Sequence, residues 1–192
     1  MEPLAEKFYQ QPTIDLAKAL IGCLLIKETE EGITSGFIVE TEAYMGPHDR
    51  AAHSFNNRRT KRTEIMYGKA GLVYTYSMHT HCLINIVCSG VDEPHAVLIR
   101  ALEPHEGVEL MFKRRPVDKE KNLTNGPGKL TKAMGITMED YGRTLLAPPL
   151  YIAQGISPEE IMEGKRIGIE NTGEAREYPW RFWVKGNPYV SR

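Results

Sequence analysis

Cysteine is scarce in this chain. Cys23, Cys82 and Cys88 leave an odd count with no framework spacing, which points to reduced thiols in a cytosolic protein rather than a disulfide scaffold. Long apolar runs are absent too. The longest candidates, residues 20–26 and 82–88, are strand-sized, well short of the roughly 18–20 residues that cross a bilayer, so no membrane partner is expected. The first residues, Met1-Glu2-Pro3-Leu4-Ala5-Glu6-Lys7, hold no apolar segment of the kind that directs secretion. There is no internal repeat, low-complexity stretch or obvious linker. Neither sign of charge is in excess: the net charge is −1, so global charge does not announce a nucleic-acid partner.

What is present suits one well-cored domain. A chain of 192 residues buries enough surface for a single core, and a second independent domain is not expected, so residues 1–192 are read as one unit. Local charge is less even than global charge. Residues 50–69 carry six basic side chains (Arg50, Arg58, Arg59, Lys61, Arg62, Lys69) against one acid, Glu64. A second cluster is Lys113-Arg114-Arg115, continuing to Lys119 and Lys121. On charge alone each is either a solvated face or a phosphate-contacting patch.

Residues 13–21 read as a short helix, with Thr13 or Asp15 as cap and Gly22 as stop. Residues 23–28 and 34–44 form a hairpin around Glu30-Glu31-Gly32, and residues 49–53 and 60–67 read as short helices. Strands follow at 72–78, 82–88 and 96–102. Helical spacing returns at 106–115, ending at Pro116, and at 128–134, closed by Gly135. Residues 180–190 alternate like a last strand running into a loop. Strands in runs, with helices between some of them, imply an α+β domain around one curved, largely antiparallel sheet, flanked by short helices and bearing a protruding β-hairpin.

The chemistry concentrates in Val39-Glu40-Thr41-Glu42-Ala43-Tyr44-Met45-Gly46-Pro47 and the following Ala51-Ala52-His53-Ser54. In a strand, residues two apart share a face, which puts Ile38, Glu40, Glu42 and Tyr44 on one side and Phe37, Val39, Thr41 and Ala43 on the other. Two acids beside a β-core need solvent or a partner. Arg100 is the natural partner, a lone cation in the apolar run Ala96-Val97-Leu98-Ile99-Arg100-Ala101-Leu102. A Glu42–Arg100 pair would keep Glu42 ionised where burial raises its pKa, and an ionised carboxylate can deprotonate water. The alternative is an exposed strand face with harmless acids. Tyr74 and Tyr76 share a strand face, for core packing or for stacking on a planar ligand. Asn85 is a polar residue within an apolar strand and needs a partner there. His79, His81, Cys82 and Cys88 invite a metal reading, but their spacing is no standard zinc pattern, and no metal is expected. Gly126-Pro127-Gly128-Lys129-Leu130 opens a helix but lacks the arrangement of a nucleotide P-loop.

Taken together these residues resemble the alkyladenine (3-methyladenine, or methylpurine) DNA glycosylase family. The resemblance runs along nearly the whole chain. It is carried by residues 39–44 with Gly46-Pro47, Ala51-Ala52-His53-Ser54, Gly71 with Tyr74-x-Tyr76, Asn85, residues 97–104, Gly126-Pro127 with Lys129-Leu130, and Pro179-x-Arg181-Phe182. It implies a monofunctional base-excision enzyme that flips alkylated or deaminated purines (3-methyladenine, 7-methylguanine, hypoxanthine, ethenoadenine) out of duplex DNA through the minor groove. It implies Glu42 as the base that activates water, Arg100 as its partner, and Tyr44, His53 and Tyr76 as walls of the base pocket. Asn85 matches the residue that crowds the 2-amino group of guanine. Arg58, Thr60 and Arg62 match a segment that contacts the DNA backbone, whereas residues 113–115 gain no such support. Some members carry a wedging tyrosine in the hairpin. Here the hairpin reads Ser77-Met78-His79-Thr80-His81-Cys82, one residue shorter before Asn85, and Met78 or His79 stands for the wedge. No lyase step, metal or organic cofactor is implied. The expected setting is a monomer in the cytoplasm, on the nucleoid if bacterial and in the nucleus if eukaryotic. Two other readings remain: a DNA-binding module without catalysis, and a metal-dependent hydrolase built on His79, His81, Cys82 and Cys88.

Overall fold

Apolar residues alternating at period two build most of this molecule, and the strands they form pair antiparallel throughout. In the computed structural model, which describes residues 1–191, the elements run α1 (Glu6–Tyr9), α2 (Thr13–Ala19), β1 (Leu24–Thr29), β2 (Gly32–Tyr44), β3 (Val73–Met78), β4 (His81–Cys88), β5 (His95–Glu106), α3 (Val108–Arg114), α4 (Pro127–Met134), β6 (Leu150–Ala153), β7 (Ile161–Gly164) and β8 (Arg181–Val184). The sheet order is β3-β4-β5-β2-β1-β6, with β8 joining β2 to β7. The expected α+β class, antiparallel sheet and β3–β4 hairpin are all present.

The long strand β2 organises the sheet. Its first half pairs with β1, through Gly32 to Phe37. Its second half pairs with β8 instead, through Glu40 to Glu42. Where the neighbour changes, the ladder to β5 slips twice. Ile38 faces Leu102 and Glu40 faces Ala101, so Val39 is an extra residue on β2; Thr41 then faces Ile99, so Arg100 is an extra residue on β5. One bulge offsets the other, and the strands leave the irregularity in register. Each bulge exchanges the faces of the residues beyond it.

Ile38 therefore does not share a face with Glu40, Glu42 and Tyr44, as strict alternation predicts. It packs in the main core with Ala43, Val97, Ile99 and Leu102. That core lies between the sheet and the helices, which contribute Leu16 and Leu20 from the α2 region, Met111 from α3, and Leu130 and Met134 from α4. Thr41 faces the same way and donates its hydroxyl to the Ala17 carbonyl at 2.8 Å.

Other boundaries moved. Residues 49–53 are turns and residues 60–67 carry a turn and a 3-10 turn at Glu64–Tyr67, not α-helices; Gly and Pro at positions 46 and 47 and the polar 56–63 run favour tight turns over helical propagation. β5 runs on to Glu106, so the helix predicted over 106–115 starts later, at Val108. Pro12, not Thr13 or Asp15, is the cap of α2, and no side chain caps it. The short strands β6 and β7 have no strong alternation to announce them. The first three residues of the second basic cluster have partners: Lys113 and Arg114 both bond Glu31, at 2.9 and 3.0 Å, and Arg115 donates to the Leu123 carbonyl.

Gly22 stops α2 as its sequence position suggests. Its φ is +87°, and a Cβ there would lie 2.1 Å from the Ile156 carbonyl oxygen. Both conformation and contact exclude a side chain. Gly22→Ala is expected to cost roughly 1–3 kcal/mol or more, read as a lower urea midpoint with an unchanged slope; an unaltered midpoint would show that the α2–β1 corner relaxes freely.

Candidate active site

The face of the sheet opposite the helices carries a cavity of about 340 Å³, at the small end of the roughly 300–1,000 Å³ usual for ligand clefts. Side chains two apart build it. Tyr74, Tyr76 and Met78 come from β3, Leu83 and Asn85 from β4, Leu98 and Arg100 from β5, and Tyr44 from the end of β2. His53 and Met66 close one side, and the loop of residues 167–172 closes another.

Three of these side chains form an aromatic corner. The Tyr74 and Tyr76 rings stack with centroids 5.6 Å apart. His53 stands edge-on to Tyr76 at 4.5 Å, and its Nδ1 shares a 2.7 Å hydrogen bond with the Tyr74 hydroxyl. Burial, with the Arg58 and Arg62 charges nearby, pulls the His53 pKa down to about 4. Burial pushes Tyr76 up to about 12 and raises Tyr74 as well. At neutral pH this corner is therefore uncharged: a flat, polar-edged surface suited to a planar ring. Asn85 is anchored on its floor by donating Nδ2 to the Tyr74 carbonyl at 3.2 Å.

Glu42 sits directly behind this wall. It is 0% exposed and does not itself line the cavity, but three cavity-lining residues hold it. The Ile167 N–H donates to Oε1 at 2.8 Å, the Tyr44 hydroxyl donates to Oε2 at 2.9 Å, and Arg100 Nη1 lies 3.3 Å from Oε1. Burial nevertheless raises the Glu42 pKa, against the pull of Arg100, the Ile167 amide and Tyr44. A carboxylate raised by burial and held by an arginine is the kind of group suited to act as a base. Tyr44 is held neutral, chiefly by burial and then by the Glu42 charge. The expected Glu42–Arg100 pair is present. Glu40, for which alternation alone offered no role, is also 0% exposed and bonds the same arginine through its Nε at 3.0 Å.

The 167–172 loop is fixed from below. Arg166 is buried and forms an ion pair with Asp49, with Nη2 2.8 Å from Oδ1; it also donates to the Ala43 carbonyl. Its guanidinium lies 4.7 Å from the Tyr44 ring and 5.0 Å from that of Trp180. Asp49 in turn accepts the Met45 and Ala51 amides, which shapes the turn that delivers His53. This pair and the loop are site elements that the sequence does not announce. Tyr74 shares the face of Tyr76, as its place two residues away predicts.

The remaining candidates divide. Met78 and His81 pair across a two-residue turn in which His79 and Thr80 both have positive φ, +46° and +72°, as hairpin turns of this length require. Met78 points to the cavity side and is 44% exposed; His79 caps the exposed tip and lies outside the lining. Arg58, Thr60 and Arg62 are exposed. Among the described residues neither Arg58 nor Arg62 has a carboxylate partner, whereas Arg59 is paired with Glu64 and Asp92. The Thr60 hydroxyl is engaged with Thr63. The metal reading fails on placement: Cys88 is buried at the far end of β4 from His81, about 23 Å along a strand. Among the described residues no group of three His, Cys, Asp or Glu side chains could hold a metal ion.

The His53 environment can be titrated directly. Ring NMR shifts are expected to place its midpoint near pH 4, and replacing Arg58 and Arg62 by Gln should raise it only in part, since burial is the larger cause. A midpoint near the unperturbed 6.5 would mean that the aromatic corner is open to water. Linkage gives the sign for stability: a depressed histidine pKa lets the unfolded chain bind more protons, so this contribution is full above about pH 6.5 and is lost as pH falls toward 4.

The model of one family, methylpurine-DNA glycosylase, matches residues 7–188. A Bacillus licheniformis protein named "Putative 3-methyladenine DNA glycosylase" is 71% identical over 191 residues, covering 100% of this chain and 97% of the relative. Proteins of the same name from Bacillus subtilis and Listeria monocytogenes are 66% and 47% identical, covering 99% and 97% of this chain and 97% and 90% of the relatives. With so complete a match joined to the Glu42–Arg100 pair and its aromatic cavity, the chain belongs to the methylpurine-DNA glycosylase family.

Proposed function

We propose that this chain is a DNA glycosylase acting as one domain, hydrolysing the N-glycosidic bond of alkylated or deaminated purines in double-stranded DNA. The observation that carries the reading is the position of Glu42, a buried carboxylate directly behind a purine-sized aromatic cavity. A purine rotated out of the duplex stacks between the pocket walls Tyr44, Tyr76 and His53, and Asn85 crowds the 2-amino group of guanine. A water held by Glu42 and Arg100 attacks C1′ of the sugar. Glu42 takes the water's proton, the C1′–N bond breaks, and its electron pair leaves with the purine. Because Glu42 lies behind Tyr44, Arg100 and Ile167, water reaches it only where those side chains part. Water is the nucleophile, so no imine forms and the strand is not nicked.

Approach through the minor groove by a monomer suits the exposed β3–β4 hairpin, whose Met78 enters the gap that the flipped nucleotide leaves. Met78 is favoured over His79 because it alone both lines the cavity and is exposed. The carboxylate-free Arg58 and Arg62, with Thr60 between them, face the DNA backbone. No helix is long and apolar enough to cross a membrane among the described residues, which is compatible with a DNA-acting protein in the cytoplasm.

Single-turnover assays on duplexes bearing 3-methyladenine, hypoxanthine or ethenoadenine test this. The expected product is free base plus an alkali-labile abasic site, with no nick from the enzyme alone. Glu42→Gln should keep lesion-DNA binding and lose roughly 10²- to 10⁴-fold in release; release at the wild-type rate would remove Glu42 as the base. Asn85→Ser should raise release of normal guanine, and an unchanged guanine background would take Asn85 out of that role.

A further inference from the structure

The two carboxylates of the Glu-x-Glu segment share one guanidinium, and the far end of the chain completes the arrangement. Arg100 presents a different nitrogen to each partner. Nε donates to Glu40 at 3.0 Å, Nη1 lies 3.3 Å from Glu42, and Nη2 donates to the Ser191 hydroxyl at 3.2 Å. Ser191 then closes the ring: its hydroxyl donates to Glu40 Oε1 at 2.8 Å and its backbone N–H to Oε2 at 2.6 Å. Arg181 of β8 adds a 2.7 Å bond to the same Glu40 oxygen and holds the Ser191 carbonyl through Nη2 at 3.2 Å. Glu40, Arg100 and Ser191 are all buried.

We propose that Glu40 and Ser191 are positioning residues for base release, fixing the Arg100 guanidinium so that one nitrogen meets Glu42 at the edge of the cavity. The inference rests on the glycosylase reading above. The geometry argues for it because, among the described residues, the polar partners of the Arg100 guanidinium are Glu40, Glu42 and Ser191. Arg100 stands at a bulge, where the ladder does not constrain its backbone as tightly. Without the Ser191 hydroxyl, Nη2 loses its acceptor, and without the Ser191 segment Glu40 loses two of its four donors. A guanidinium released on that side turns toward Glu40 and away from Glu42. A displacement near 1 Å costs an active site roughly 10²-fold. Glu40 also acts through charge. Glu42 is faced by Glu40 and Tyr44 on its own strand, Arg100 on β5, Tyr76 on β3, Arg181 on β8, and beyond Tyr44 by the Asp49–Arg166 pair. Removing the Glu40 charge leaves both arginines and favours the ionised Glu42, so its pKa falls.

Single-turnover release from hypoxanthine-containing duplex, measured across pH, tests the inference with Glu42→Gln as reference. A chain ending at Val190 should bind lesion DNA as the intact chain does and release base roughly 10- to 100-fold more slowly. Ser191→Ala should show a smaller loss, and Ser191→Thr, which keeps hydroxyl and N–H, should restore the rate. Glu40→Gln should move the acidic limb of the rate profile to lower pH, which a loosened fold would not do. Should Glu40→Gln fail to fold, the Ser191 variants carry the test alone. Wild-type rates in both the truncated chain and Ser191→Ala would overturn the inference while leaving the glycosylase reading intact. An intact chain that releases no base from any of the three lesions would overturn that reading and the inference with it.

Discussion

A guanidinium buried between two carboxylates is the constraint around which this sheet is arranged. Bringing Glu40, Glu42 and Arg100 out of water costs several kcal/mol per ion, and the structure offsets that with donors and acceptors from five separate segments. Both carboxylates are on β2, Arg100 is on β5, Arg181 is on β8, the Ile167 amide comes from a loop, and Ser191 comes from the last described residues. Removing one charged member of such a cluster costs more than the pair contributes, because its partner is left buried and unpaired. The paired bulges at Val39 and Arg100 accommodate the cluster. Ile38 and Leu102, two residues from Glu40 and Arg100, stay in the core.

The two faces of the sheet divide the work. One packs a large apolar cluster against α2, α3 and α4, and the buried charges of Lys27 and Asp140 pair with each other outside that cluster. The other carries the aromatic corner, the buried carboxylates and the Asp49–Arg166 pair. Rigid packing on the first face is what lets the second hold polar groups at fixed distances. The loop of residues 167–172 shows the same logic on a small scale: a flexible-looking segment is pinned by Arg166 beneath it, so the Ile167 amide can stay on Glu42.

Much of this was legible in the residues. A lone arginine in an apolar strand announced a carboxylate partner, and Tyr74-x-Tyr76 announced a shared face. Period-two reasoning then failed at one point for a definite reason. It assumes an unbroken ladder, and the bulges at Val39 and Arg100 leave no trace in hydrophobicity, so alternation puts Ile38 on the wrong side. Glu40 could not be understood locally because its partners Arg181 and Ser191 lie far away in sequence. Arg166 and Asp49 gave no signal, since a buried ion pair between two loops looks like two ordinary surface charges. Residues 49–53 and 60–67 read as short helices, but their side chains serve turns, as Thr60 and Thr63 do.

The protonation pattern of the cavity bears on how a base could leave it. Burial lowers His53 and raises Tyr44, Tyr74 and Tyr76, so all four are neutral near pH 7. The neutral histidine keeps only one weakly acidic N–H, and the phenols hold their protons tightly. Arg100 does not deprotonate in this range. With the exposed Glu170 at the rim aside, the described lining holds no strong proton donor, and the proposed base, Glu42, lies behind its wall. Environment has separated the two functions by admitting only one of them. A purine departing from this cavity by the proposed route must already carry positive charge, or draw its proton from solvent at the open side. The physical asymmetry thus lies in the leaving group rather than in the water, and a cationic N-alkylpurine satisfies it without any further catalytic residue.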